Sequence, residues 1–463
     1  MNERHIFFIL FLLLTGLAAY SCSGSGTGSI ASNNVRLDLT GSRQGQSVGF
    51  VDVDGDGIDD KVVGAPYASV SERTGVVLVY KGTATGNSSS PIMIMTGDDN
   101  FGFSFANLGD VDGDHRDDFA VGAINGSGSD DYESSLCGTV TIYKGGNKWQ
   151  VIKKLAGEGP MDKFGFSLSA GDLDNDGYND IIAGAPFNTN TPSLYQQGAV
   201  YVYFGPDFTR SVALHASSSN KGIGWAVSSG DINGDGISDL LISANGKVLG
   251  FYGGSSFAPS ISSPDLTISS SASGFGKAIE VIGDIDGDGK KEIAVGAPNA
   301  VINGNRDTGS VYIVKGGDGT RTINLNAAAA DLIVRIDGNG IFSRFGSSIV
   351  SVGDLDGDSK PDFAVGAPMD DVNPNDLGGK VYLFKGKDIG PATTLVNSTL
   401  FNGMAKNQAY GTALASNKKG QILIGGPRST IDTGGVSLID ALTGNVVSEG
   451  SSGGSTGGSG ECH

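Results

Sequence analysis

Cysteine is nearly absent: three residues, Cys22, Cys137 and Cys462, in a chain of 463. A disulfide framework is therefore excluded as the main staple of the fold. A bond between Cys137 and Cys462 is not expected either, because the first opens a strand and the second ends a Gly/Ser tail. Histidine is as sparse, at four residues. His5 falls in the leader and His463 in the tail, His115 sits inside an acidic loop, and His215 lies in a short β-type run. With no Gly-x-Ser-x-Gly elbow and no His-Glu-x-x-His pair, the usual hydrolase and zinc-protease chemistries have no carrier. Basic residues are outnumbered, 31 against 50 acidic, for a net charge of −19. Nucleic acid, which needs a basic face, is excluded as a partner. Proline is limited to 14 residues, no segment beyond about two turns shows helical periodicity, and no apolar run reaches the ~20 residues of a membrane-spanning helix.

What is abundant is glycine, 75 residues, about twice the usual ~7%. It shows no three-residue period, so collagen is excluded and many tight turns are implied. The acid is concentrated as well. Around Asp172, Asp174, Asp176 and Asp180 four carboxylates stand at positions 1, 3, 5 and 9 of one loop. The spacing recurs at Asp52, Asp54, Asp56 and Asp60, at Asp110, Asp112, Asp114 and Asp118, and at Asp231, Asn233, Asp235 and Asp239. It appears twice more, at Asp284, Asp286, Asp288 and Glu292 and at Asp354, Asp356, Asp358 and Asp362. Carboxylates gathered this tightly repel one another without a cation. Hard oxygen donors on one turn suit Ca2+, so up to six Ca2+ are expected. An EF-hand does not fit: position 12 should carry a bidentate Glu, and Val63, Val121, Ala183, Ile242, Val295 and Val365 stand there. The fourth loop has one charge fewer and is expected to be the weakest.

The loops share a frame: Phe-Gly precedes, as at Phe164-Gly165, and Gly-Ala-Pro follows, as at Gly184-Ala185-Pro186, whereas the fourth unit reads Ile223-Gly224-Trp225 and Ser243-Ala244-Asn245. A seventh unit keeps this frame without the acid, from Tyr410-Gly411 to Gly425-Gly426-Pro427. Around the loops lie short β-branched and aromatic runs bounded by turn residues. Self-similarity at a period of roughly 50 residues or more means blades or arrays. The expected fold is all-β: a seven-bladed β-propeller of four-stranded blades, with Ca-binding loops between strands 1 and 2. Ring closure is expected from the strand near Val35, with Asn445-Val446-Val447 as the rival.

The set of Phe-Gly, acidic loop and Gly-Ala-Pro resembles the FG-GAP repeats of the integrin α-chain propeller and its prokaryotic relatives. The resemblance spans about residues 35–447. It implies calcium loops on one face that stiffen the blades, and partner-binding loops after Gly-Ala-Pro on the other, here 67–74, 124–136, 187–197, 299–308 and 369–377. It also implies a lone propeller, without the leg domains or membrane helix of an integrin subunit. Residues 1–21 read as a signal peptide with an apolar run from Ile6 to Ala19. The segment resembles a bacterial lipoprotein signal with Cys22 as lipidation site, although Ala19 stands where that signal usually has Leu. Residues 22–34 form a Ser/Gly tether and 448–463 a Gly/Ser tail.

The expected function is a calcium-stabilised, cell-surface-tethered or secreted binding or adhesion module. It is not an enzyme, takes a protein or glycan on its loop face, and meets the membrane only through a lipid anchor. The alternative is a carbohydrate-binding or carbohydrate-active protein using the central pocket of the propeller.

Overall fold

The computed structural model describes residues 31–450, apart from 33–34, 39–41, 71–72, 84–85, 88–89, 98, 128–135, 147–149, 190–196, 218–221, 328–329, 371–377, 404–407, 428–434 and 442–445. The signal, tether, Cys22 and most of the tail lie outside the described residues. Among the described residues the only helical elements are two 3-10 turns, Gly386–Asp388 and Leu395–Asn397. No helix there is long and apolar enough to cross a membrane. Everything else regular is strand.

The unit around Asp284 shows the plan. A first strand, Ala278–Gly283, leads into the acidic loop. Glu292–Ala297, Ser310–Val314 and Leu332–Asp337 then pair in succession, all antiparallel. The second strand is the most apolar and every residue of it is buried. The same holds for Asp118–Ala123, Asp180–Ala185, Asp239–Ala244 and Asp362–Ala367. Such near-continuous Val/Ile/Ala/Phe runs fit strands covered on both faces.

The sheets cover one another. One apolar cluster joins Val200, Val202 and Leu214 of one sheet to Leu240, Leu249 and Phe251 of the next. Another joins Ala294, Ile313 and Val334 to Phe363, Val365 and Tyr382. A further cluster brings Val48, Val63 and Leu78 against Leu423, Val436 and Leu438, so the last described sheet packs on the first. No sheet could bury both faces alone, which ties the stability of each unit to its neighbours.

The architecture is a β-propeller, but the expectation of seven separate four-stranded blades is corrected by the strand pairing. Five blades stand as separate sheets. They begin at Ser167, Val227, Ala278, Ser348 and Ala413, and are four-stranded except that the second gains Arg321–Asn324 as a parallel fifth strand. The strands from Ala31 to Ala156, apart from a small hairpin at Gly82–Asn87, form one ten-stranded sheet. Two local features merge it. A parallel bridge, Gly75↔Phe101, joins two repeat units, made possible because Gly75 has no Cβ to strike the Phe101 backbone. The strand Asp60–Val70 also runs past Gly-Ala-Pro and offers an edge to Val35–Asp38, paired Leu37↔Val70. That edge answers the closure question against the N-terminal strand. Val446–Gly450 pairs with Gly435–Asp440 and completes the last sheet.

The Phe-Gly and Gly-Ala-Pro motifs meet across blades. A Cβ placed on Gly64, Gly184, Gly296, Gly366 or Gly425 would come closer than 3.0 Å to the carbonyl oxygen of Gly102, Gly224, Gly346, Gly411 or Gly45 respectively. The glycine of one Gly-Ala-Pro thus lets the next unit's Phe-Gly turn approach the strand. Last to first, Gly425 meets Gly45, consistent with a closed ring.

Candidate cation-binding loops

Each acidic loop is shaped by its first carboxylate. Asp354 accepts from the backbone N–H groups of Gly357, Asp358 and Ser359 at 2.8, 3.1 and 2.7 Å. Asp52, Asp110 and Asp284 do the same with their own loops. Asp172 and Asp231 make two such bonds each. The turn therefore curls around position 1.

The ninth residue is the opposite in character. Asp60, Asp118, Asp180, Asp239, Glu292 and Asp362 are all fully buried at the start of their second strands. One oxygen of each accepts from the N–H of position 2, as Asp180 does from Leu173 at 2.9 Å. In all but Glu292 the other oxygen accepts from a glycine N–H after the third strand, as with Gly205 at 3.0 Å. Burial pushes these carboxyls up: Asp60 and Asp118 to about 6, Asp180, Asp239 and Glu292 to about 7, with Asp362 raised as well.

A carboxyl whose folded pKa is raised takes up protons on folding, so its contribution to stability is greatest at low pH and is lost as pH rises through the folded value. In chelator, the melting temperature is therefore expected to rise as pH falls from 7.5 to 5. Asp56 and Asp356 are shifted downward by hydrogen bonds from Lys81 and from Lys385 and Lys387, so they oppose the trend only below about pH 4. Thermal melts at the two pH values read the result, and a melting temperature that falls on acidification would contradict it.

Carboxylate oxygens converge in five of the six loops. Asp284, Asp286, Asp288 and Glu292 each bring an oxygen within 4.8 Å of the others. Asp52, Asp54 and Asp60 do so too, as do Asp110, Asp112 and Asp118, Asp172, Asp174 and Asp180, and Asp354, Asp356 and Asp358. Asp56, Asp114, Asp176 and Asp362 stand outside their loops' clusters. In the fourth loop Asp231, Asp235 and Asp239 form no cluster of three among the described residues. There Asn233 donates to Asp235 at 3.0 Å. Among the described residues three buried carboxylate oxygens have no hydrogen-bond partner: Asp54 Oδ1, Asp174 Oδ1 and Glu292 Oε1. A buried carboxylate oxygen without a donor is costly, and all three belong to the converging sets. Hard oxygen donors with an unmet valence suit a hard cation such as Ca2+.

Sequence reasoning passed over the basic residues that face these sets. Lys81, Lys144, Lys315 and Lys385 each follow the third strand directly. They pair with Asp54, Asp112, Asp286 and Asp356, the last two at 2.5 and 2.7 Å. In the third unit Arg210 reaches Asp174 instead, its guanidinium 3.5 Å from the Phe204 ring centre. The fourth unit has Tyr252 at this place. The repeated Lys-Gly after an aromatic or aliphatic strand end, as in Tyr80-Lys81-Gly82, was the available signal.

A ring of β-sheets whose hairpin loops gather carboxylates defines an acidic-loop β-propeller. A family model described as "FG-GAP repeat" matches residues 44–80, 164–203, 223–255, 275–314 and 345–384. Integrin alpha-4 of Xenopus laevis is 31% identical over 225 residues, which cover 45% of this chain and 20% of that protein. Integrin alpha ina-1 of Caenorhabditis elegans is 35% identical over 175 residues, covering 32% and 15%. Integrin alpha-PS2 of Drosophila melanogaster is 26% identical over 312 residues, covering 65% and 17%. The chain is an integrin-like FG-GAP β-propeller. It spans about a fifth or less of the length of these relatives.

Proposed function

We propose that the protein is a calcium-stabilised binding or adhesion module that takes a protein partner on the face opposite the acidic loops. The observation that carries this reading is a set of apolar side chains presented to solvent at that end of the strands. Val301, Ile341 and Phe342 are 57%, 59% and 53% exposed, and Phe342 N–H donates to Arg306 O at 3.2 Å, which places the two loops together. Leu136 and Met161 make a similar pair, joined by a bond from Met161 N–H to Leu136 O at 3.0 Å. Met161 and Phe342 each precede a Phe-Gly turn by three residues, and both hold positive φ, 64° and 62°. Bulky residues held exposed in a disfavoured conformation point to use rather than packing. Similarity to integrin α-chains supports adhesion; parts of loops 67–74, 124–136, 187–197 and 369–377 lie outside the described residues.

In this reading the converging carboxylates hold Ca2+ and keep the loop face rigid. Residues 1–21 export the chain, Cys22 carries a lipid and 22–34 tether the propeller at the cell surface; ordinary signal cleavage would give a secreted form. The test is binding of the purified chain to immobilised collagen, laminin and fibronectin in Ca2+ and in EDTA. Saturable binding to one of them is expected, lost in EDTA and weakened about tenfold or more by V301S/F342S, since exposed apolar anchors contribute about 1–3 kcal/mol each. Binding indifferent to both treatments, or no binding together with turnover on a polysaccharide panel, would overturn it.

A further inference from the structure

The fourth unit breaks the repeat in two places, and both departures line one pocket. Trp225 follows Ile223-Gly224, and Ser243-Ala244-Asn245 replaces Gly-Ala-Pro. The second and third strands of this unit are joined by only Asn245 and Gly246, with Ala244 paired to Lys247. Other units carry long loops here, so the rim is low at this position. A pocket of about 670 Å³ opens there, lined among others by Trp225, Asn245, Ser271, Ser273, Lys277 and Asn299.

Trp225 is held by aromatic packing. Phe166 and Phe187 meet its ring edge-on at 5.0 and 5.3 Å, and Phe103 packs on Phe166 at 5.1 Å. The Lys277 ammonium stands 3.1 Å from the Trp225 ring centre. Among the described residues it has no carboxylate partner, and no lining residue of the pocket is acidic. In a chain of net charge −19 that is a local exception. Residue Lys277 is exposed as a whole, yet burial of its ammonium end lowers its pKa to about 8. A cation without an anion, seated on an aromatic ring, and serine and asparagine side chains that can donate and accept together describe a recognisable ligand chemistry.

We propose that this pocket binds an acidic saccharide, its carboxylate on Lys277, whose ammonium is seated on the Trp225 ring, and its hydroxyls on Asn245, Asn299 and Ser273. A saccharide offers what the lining asks for: several hydroxyls and one negative charge. The site is separate from the acidic loops. Trp225 precedes the strand Val227–Gly230 and the loop at Asp231 follows it, so the two lie at opposite ends of the strand. The inference therefore does not rest on cation occupancy or on the apolar partner patch at Phe342.

The test is titration calorimetry of the full mature chain at fixed free Ca2+ with trigalacturonic acid and sialyllactose, against maltotriose and pentaglutamate. One acidic saccharide is expected to bind with 1:1 stoichiometry, at least tenfold tighter than maltotriose. K277Q and W225A should each weaken it at least tenfold, while W225F keeps most of the affinity and K277Q and W225F keep the wild-type melt. Neither saccharide binding, maltotriose binding equally well, or K277Q leaving affinity unchanged would overturn the proposal. Tighter binding of pentaglutamate in competition would assign the pocket to an acidic peptide instead and overturn it too.

Discussion

Changing Gly296 to alanine will destabilise the propeller by about 3 kcal/mol or more, near the top of the range for overpacking. The new methyl would come closer than 3.0 Å to Gly346 O, 3.1 Å from Gly346 C and 3.2 Å from Ala278 Cβ. None of these can rotate away. Gly346 cannot easily yield either, because its φ of +86° is one that only glycine holds without strain. Relief requires the two sheets to separate, and the cluster of Ala294, Ile313 and Phe363 fills that interface. Gly390 serves as the control, since an added Cβ there meets nothing within 4 Å. G390A is expected to stay within about 0.5 kcal/mol of the parent. Urea unfolding followed by circular dichroism reads both variants. Equal midpoints would show that the glycine-to-carbonyl approach between blades is not a constraint.

That contact also marks how far the sequence could be read. The motif itself was visible at Phe164-Gly165 and Gly184-Ala185-Pro186, and so were the all-β propeller architecture and the acidic positions, but not the five separate blades. Its reason was not, because Gly184 meets Gly224, a residue of the next unit, and periodicity shows what repeats without showing what touches. The carboxylates at positions 1 and 9 differ sharply, one shaping the exposed turn and one buried under the strand, although both are written as Asp. Lys81 and its counterparts were missed because they lie in the third strand's exit, more than twenty residues after the loops they face. The merged first sheet and the closure by Val446–Gly450 depend on edge availability, set by how far Asp60–Val70 happens to extend. Local propensity carries no trace of that. Conversely, the departures of the fourth unit were plain in sequence as a weak repeat, and only the fold shows that Trp225 and Asn245 share a pocket.

The other large effect is expected from cations. The converging carboxylates of five loops place like charges side by side, and Lys81, Lys144, Arg210, Lys315 and Lys385 offset them only in part. A cation in each set would satisfy Asp54 Oδ1, Asp174 Oδ1 and Glu292 Oε1. It would also replace the proton that burial favours on the ninth residue. Each site held at about 100 times its Kd contributes about 2.7 kcal/mol if the unfolded chain does not bind. With an unfolding entropy of about 2.1 cal/mol/K per residue, five such sites raise the melting temperature by on the order of 15 °C. Mg2+ should do much less, because it demands a tighter octahedral shell than these open turns provide. The cation should also reverse the pH trend expected in chelator, giving a higher melting temperature at pH 7.5 than at pH 5. A shift of a degree or two with Ca2+, or an equal shift with Mg2+, would count against cation sites in these loops.

The most direct test counts the ions. Equilibrium dialysis of the purified mature chain against 45Ca2+, at pH 7.5 with Mg2+ as competitor, gives the stoichiometry without reference to stability. The account predicts five tight sites per chain, one for each converging set, with the loop at Asp231 filling last if at all. D284N should remove one site and leave the other four. A stoichiometry of zero or one would contradict the account, leaving the loops as acidic turns held by their own backbone N–H groups and neighbouring lysines.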